Sequence, residues 1–405
     1  NIEGSSAGLV KLVVDKLSCN SRMYGNYLDS IEITNCGGPL YIRGFLVNGK
    51  RVVQDGVLVK NSNVVLEGCA SILNNGNGFL FDNSDVTLTR GVLAYRNYLR
   101  NGTARLDGDW SGIAIDDYKF KDETAGIKAF NSNVTLSSTS AFEFSIRDSA
   151  SGIYPSNDMN QCSRNTNGIS LINSVFNGGL EQTTNMATVG AGGSFNNKYT
   201  RTYLCVDKNT NNGLVSKGSD IDLKGRLTSF GNLRGIDLQD SNVILDDFGI
   251  QANQRQGIRS TKSNIEYNSS FQNAQDSLTV THQWMFSANG QHLNLDDSTF
   301  TPTRGTSMDS NYGLLFMSHP HGINNTKTDI YVNTIPAVQL TNGAKAEFVH
   351  ALMQRGGDFA YDSYPSYGSL VNVDKGSTAV FRGSKTYATR LAGPADYDKQ
   401  KYAAG

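Results

Sequence analysis

Apolar and polar positions along this chain recur in one phrase. "GVLVKNSNVVL" starts at Gly56 and "GFLFDNSDVTL" at Gly78, 22 residues later. "GIKAFNSNVTL" follows at Gly126, "GLVSKGSDIDL" at Gly213, "GIDLQDSNVIL" at Gly235 and "GIRSTKSNIEY" at Gly257. Counted from the glycine, a serine stands at +6 in every copy: Ser62, Ser84, Ser132, Ser219, Ser241 and Ser263. Apolar residues stand at +8 and +10, as in Val64 and Leu66 or Val243 and Leu245, and often at +1 and +3, as in Phe79 and Phe81. Six copies in one register define a repeat architecture.

Apolar pairs two residues apart have strand periodicity, not helical. Between the pairs sit Asn-Ser-Asn and Asp-Ser-Asn, residues that bond their own backbone and accept tight corners. A weaker third strand follows near +14 to +16, at Val92 and Ala94 or Leu227 and Ser229, and then an Asn or Gln near +19. Three short strands and three corners per coil predict an all-β fold, a right-handed single-stranded parallel β-helix of about 22 residues per coil whose coils stack at ~4.8 Å. A leucine-rich repeat would carry a longer leucine phrase and a helical return, and a hexapeptide helix would beat evenly every six residues. The offsets fit neither.

The repeat predicts an N-terminal cap segment over 1–50, the β-helix with insertions over 51–385 and a polar tail over 386–405. One solenoid of this length needs no division into separate cores. The 42 glycines and only 7 prolines among 405 residues suit turns and continuous sheets. A net charge of -1 gives no general attraction to nucleic acid or to a membrane surface. No stretch reads as a signal peptide or spanning segment, so membrane insertion is not expected, and a chain starting at Asn1 reads as a fragment or processed product. Five cysteines at unrelated spacings, Cys19, Cys36, Cys69, Cys162 and Cys205, read as buried free thiols.

The breaks in the repeat carry the functional signal. Extra residues fall mainly at 98–125, 148–167, 181–212, 275–312 and 354–369, counted as following the third strand. Insertions leaving one corner would wall a groove along the coils. Arg96, Arg147, Arg234 and Arg255 lie at +18 to +21 from their glycines and are the expected basic floor of that groove, since guanidinium groups bind carboxylate and phosphate bidentately. Trp110, Trp284, Tyr361 and Tyr364 lie outside the repeat frame, where aromatic faces suit the apolar faces of sugars or pin a loop to the solenoid.

Catalytic and metal chemistry is less well supported. Asp107, Asp109, Asp116 and Asp117 share one insertion, and Asp358 and Asp362 another; glycosidases need two carboxylates ~5–10 Å apart. "SHPHG" holds His319 and His321, which lack a third and fourth metal ligand. "IDDY" at 115–118 and "HG" at 321–322 look like polygalacturonase motifs, but that family keeps the two about one coil apart and here some 200 residues separate them. The arginine and calcium-binding aspartate cluster of pectate lyases is missing. No catalytic residue, metal or cofactor is therefore assigned.

The Asn/Ser-rich coils without enzyme signatures resemble the β-helices of phage tailspikes and tail fibres, most nearly the fibrous virion proteins of phiKZ-like giant phages. The resemblance spans about 50–390 as pattern and composition and transfers no residue. It implies an extracellular virion-surface protein, a homotrimer beside other tail or baseplate proteins, that binds host polysaccharide or lipopolysaccharide and no nucleic acid. A polysaccharide-degrading β-helix enzyme and a bacterial autotransporter passenger or adhesin are the alternatives.

Overall fold

Among the described residues, eight coils turn their first corner on a residue of positive φ followed by a serine. Asn61, Asn83, Asn131 and Asn173 hold φ between 46° and 48°, and Asp240, Lys262 and Asp297 between 47° and 49°. Asn and Asp accept this left-handed conformation because their short polar side chains bond locally. Gly218, at φ 62°, meets the same demand by having no Cβ.

The structure is a computed structural model that describes residues 2–4, 10–17, 21–24, 27–48, 55–72, 74, 76–95, 124–136, 160–178, 202–267, 284–287, 289–302, 315–317, 336–349, 351–355, 371–382 and 385–388. It forms two units, Asn1–Leu99 with Thr124–Cys205 and Ser219–Arg226, and Arg100–Glu123 with Val206–Gly218 and Leu227–Gly405.

Each unit is built from three parallel sheets. In the first unit, the leading strands Val10–Asp15, Ser30–Thr34, Val57–Lys60, Phe79–Asp82, Ala125–Phe130 and Asn167–Ile172 pair in chain order. In the second, the leading strands are Asn212–Lys217, Arg234–Gln239, Gln256–Thr261, Gln291–Asp296, Val338–Thr341 and Val371–Val373. The strands after the first corner form another sheet, as in Asn242–Gln251, Asn264–Tyr267 and Thr299–Pro302. Third strands such as Trp284–Ser287, Leu315–Met317 and Ala351–Arg355 form the last. The expected parallel β-helix is the observed fold.

The serines hold the coils in register. Ser62, Ser84, Ser132 and Ser174 each donate Oγ–H to the carbonyl two residues back at 2.8 Å. Each hydroxyl also accepts the corner N–H of the preceding coil: Ser62 to Ser84 at 3.2 Å, Ser84 to Ser132 at 3.0 Å, Ser132 to Ser174 at 3.1 Å. In the second unit, Ser241, Ser263 and Ser298 continue the pattern at 3.0 and 3.1 Å. A second ladder runs inside the later corner of that unit. The Asn209 N–H donates to Asn232 Oδ1, Asn232 N–H to Asn253 Oδ1, and Asn253 N–H to Asn289 Oδ1 at 2.8, 3.1 and 3.1 Å.

The repeat's glycine packs against the next coil's backbone and against this asparagine ladder. A Cβ on Gly235 would lie 2.4 Å from the Gly257 carbonyl and 3.0 Å from Asn253 Nδ2. His292 occupies the same place one coil after Gly257, wholly buried, with Nδ1 3.3 Å from Asn289 Nδ2 and its ring 5.9 Å from Phe286.

Inward positions form apolar columns. Ile31, Val57, Phe79, Ile127 and Ile169 stack in the first unit, and Leu214, Ile236, Ile258, Leu293 and Val338 in the second, all buried. Toward the end of the second unit the inward positions of the strands after the first corner become aromatic. Tyr267 stacks on Phe300 at 4.7 Å, Phe300 lies 6.1 Å from Phe348, and Phe348 stacks on Phe381 at 5.2 Å. The Tyr267 hydroxyl donates to the Glu347 carbonyl at 3.0 Å and accepts the Val349 N–H at 3.1 Å, so the buried phenol has both bonds met.

Two expectations change. Helical stacking begins before residue 51, since Val10–Asp15 already pairs in parallel with Ser30–Thr34. There Cys36 takes the serine's place: its thiol donates to the Thr34 carbonyl at 3.4 Å and its N–H bonds Ser62 Oγ at 3.0 Å. The breaks also use two corners, not one. Residues 96–123 and 356–370 follow third strands, whereas 137–159, 179–201 and 268–283 separate second strands from the third strands Asn160–Ser163, Thr202–Cys205 and Trp284–Ser287. Counting forward from each glycine placed those third strands too early, because a parallel strand pairs equally well after a break of any length.

Three outcomes follow from this packing. Val243, 3% exposed and stacked on Ile265, should tolerate no charge: Val243→Asp is expected to cost about 4 kcal/mol or more in chemical denaturation. Lys262 alone among these seven corners combines φ 49° with a long side chain, so Lys262→Asn should raise stability by ~0.5–1 kcal/mol. The third concerns alkaline pH. Burial raises the Cys69 and Cys162 thiols above their ordinary 9.0 and the Tyr267 hydroxyl above 10.0. The unfolded chain then releases protons that the folded chain keeps, so their contribution is whole below about pH 9 and falls as pH rises beyond it. The melting temperature should decline in that range, less steeply in Tyr267→Phe.

Candidate functional site

Alternation that sends Ile236 and Leu238 inward sends Asp237 outward on strand Arg234–Gln239, and sends Arg259 outward on Gln256–Thr261. Parallel register pairs Asp237 with Arg259. The Arg259 fork closes on the carboxylate, with Nε 2.8 Å from Oδ1 and Nη2 2.6 Å from Oδ2. Arg234 approaches the same carboxylate from its own strand, Nη1 to Oδ2 at 3.9 Å, and donates Nε–H to Gln256 Oε1 at 3.3 Å. The Asp237 side chain is only 11% exposed and that of Arg259 45%. Two guanidinium groups thus approach one carboxylate. The bidentate geometry holds Arg259 in one orientation with its side chain 45% exposed.

Arg255 precedes strand Gln256–Thr261 at the corner and is half-buried; its N–H bonds the Leu233 carbonyl at 2.8 Å. Arg234 pairs across the sheet with Asn212 and contacts Gln256, so the column through Arg234 continues into glutamines, Gln256 and Gln291, while Arg255 sits one position earlier. Trp284 opens the third-sheet strand Trp284–Ser287 and pairs with Leu315. Arg96, Trp110, Arg147, Tyr361 and Tyr364 lie outside the described residues, as do Asp107, Asp109, Asp116, Asp117, Asp358, Asp362, His319 and His321. Arg147 belongs to the break between Leu136 and Asn160, a different corner from the one Arg234 follows.

The pairing of Arg259 with Asp237 has a signature in the sequence. Both sit at +2 of their phrases, "GIRS" and "GIDL", 22 residues apart. Opposite charges at one offset in successive repeats must face each other across a parallel pair.

Elsewhere the outer face carries ordered amides and hydroxyls. Asn264 Nδ2 donates to Asn242 Oδ1 at 3.0 Å, and Thr299 Oγ1 to Asn264 Oδ1 at 3.0 Å. In the first unit, Asn83 bonds Asn61 at 2.9 Å, Asn61 bonds Asn35 at 3.2 Å, and Asn35 bonds Asp15 at 3.0 Å. Hydrogen bonds from Asn35 and Thr34 hold the Asp15 carboxyl below its ordinary range. Lys60 pairs with Asp82 at 3.2 Å and Arg43 with Glu67 at 3.7 Å.

Cys36, Cys69, Cys162 and Cys205 are free and buried. Among the described residues no group of three or more His, Cys, Asp or Glu could hold a metal ion, and no helix is long and apolar enough to cross a membrane. No protein-family model, curated protein or solved structure matches this chain.

Proposed function

We propose that this chain is a virion-surface fibre or tailspike-type protein whose β-helix binds an acidic host polysaccharide or lipopolysaccharide. The observation that carries the reading is the Arg234–Asp237–Arg259 cluster with Arg255 nearby, arginines gathered around one carboxylate on the outer face of a parallel sheet. Asp237 holds Arg259 in place, so little side-chain entropy is lost when a second carboxylate or a phosphate arrives. Rows of Asn and Thr such as Asn242, Asn264 and Thr299 offer donors and acceptors at the strand repeat, suited to the hydroxyls of a chain-like ligand. The resemblance to phage fibres supplies the setting, including association with other tail or baseplate proteins and trimerisation.

Charged and neutral host glycans titrated against wild type and Arg255→Ala/Arg259→Ala test this reading. Binding of the acidic glycan should fall about tenfold or more in the double variant and weaken as salt rises toward a Debye length of ~8 Å. Equal affinity in both proteins, or binding indifferent to salt, would remove the basic site from the proposal. Release of reducing ends or unsaturated sugar would replace it with the polysaccharide-degrading enzyme.

A further inference from the structure

One corner of the second unit departs from the rule of the others. Thr341 leads into Asn342, Gly343 and Ala344, while Ala346 still pairs with Phe300. Ala344 therefore stands where Ser298 stands one coil earlier, and the turn has gained a glycine. Asn342 and Gly343 both hold positive φ, 55° and 82°. Asn342 is exposed, and a Cβ on Gly343 would meet no heavy atom within 4 Å. The Gly343 N–H donates to a side chain, Ser377 Oγ at 3.1 Å. Asn342 Nδ2 donates to Asp296 Oδ1, which also accepts Thr341 Oγ1 at 3.2 Å. Five other Asn-Gly pairs fall among the described residues, and each is fixed by burial or by strand pairing. Asn77, Asn167, Asn212 and Asn289 are buried, and the Gly78 and Gly290 N–H groups donate to the Ala125 and Asn253 carbonyls at 3.0 Å. Asn177 is exposed, but Gly178 lies in strand Val175–Gly178 and pairs with Leu136 and Leu223.

We infer that Asn342–Gly343 is a deamidation site, the pair among these six that reacts in the folded chain. Hydroxide removes the Gly343 amide proton, and the nitrogen attacks Asn342 Cγ. The new N–Cγ bond closes a succinimide as the Cγ–Nδ2 bond breaks and ammonia leaves. Water then opens one of the two ring carbonyls, giving aspartate or isoaspartate with no change of oxidation state. Glycine suits the step because no Cβ crowds its nitrogen, and only a side-chain hydrogen bond has to release that N–H. At Asn61, Asn83 and Asn131 the following residue is a serine, whose N–H is held by the serine of the next coil. The product changes the corner chemically. The amide that donates to Asp296 becomes a carboxylate that only accepts, so two negative charges meet where a hydrogen bond stood. Asp297 beside it and Asp374, which accepts the Asn342 N–H at 2.9 Å, add to the repulsion.

Site-resolved mass spectrometry of the full chain, aged at mildly alkaline pH with and without urea, tests the inference. In the folded chain Asn342 should show amide-to-acid conversion and isoaspartate, while Asn167, Asn177, Asn212 and Asn289 stay intact. In urea all of them should convert at similar rates. Removing the hydrogen bond on the attacking nitrogen in Ser377→Ala should speed conversion of Asn342 by up to about tenfold. Asn342→Asp, which carries the charge of the product, should melt ~2–4 °C below wild type. Asn342 that stays intact in the folded chain while it converts in urea would overturn the site, as would equal conversion of the other four in the folded chain. A Ser377→Ala rate equal to wild type would overturn the part given to that hydrogen bond, and an unmoved melting temperature in Asn342→Asp the part given to repulsion.

Discussion

Everything regular in this protein depends on one hydroxyl at a buried corner. A chain that turns sharply on a positive-φ residue leaves the next N–H pointing along the stack, away from any strand partner. Leaving it unmet would cost about 1–3 kcal/mol per coil. The serine hydroxyl has one hydrogen and two lone pairs. It spends the hydrogen on its own strand, as Ser84 does on the Asp82 carbonyl, and accepts the N–H of Ser62 from the coil before. The same atom thereby closes the corner and measures the distance to its neighbour. Cys36 retains the first of these bonds, and the ladder starts there.

Register follows from that ladder, and the columns follow from register. Once Ser241 and Ser263 are stacked, Val243 must lie on Ile265 and Asp237 beside Arg259. Inside, the columns exclude water and tolerate changes of size only when neighbours adjust, which is how the aliphatic stack passes into Phe300, Phe348 and Phe381. Outside, identical spacing turns single polar residues into rows. Stability in such a stack is close to a sum of coil and neighbour terms, so a middle coil, with two neighbours, matters more than one with a single neighbour.

The proposed binding surface is an outcome of the same rule. An aspartate and an arginine at one repeat offset would do nothing for each other in a helix, but in a parallel pair they meet fork to carboxylate. Fixing Arg259 in this way separates it from an ordinary solvated arginine. The cluster is also where the expectation of a single arginine row gave way, because Arg234 is followed in its column by Gln256.

From the sequence alone came the strand periodicity, the tight polar corner, the register of its serine and the identity of the buried columns, because each depends on residues a few positions apart within one phrase. Ser62 to Ser263 and Val64 to Ile265 could be placed without coordinates. Tertiary structure decided what depends on where the chain returns. The third strands Asn160–Ser163 and Thr202–Cys205 lie beyond breaks whose length leaves no local signature, so the corners from which the breaks leave were not readable. Cys36 hid a coil because a thiol can stand in for a hydroxyl geometrically while differing in letter. Whether an inward residue is covered also lies outside the pattern: Phe348 and Phe381 occupy the same offset, yet the first is buried and the second exposed.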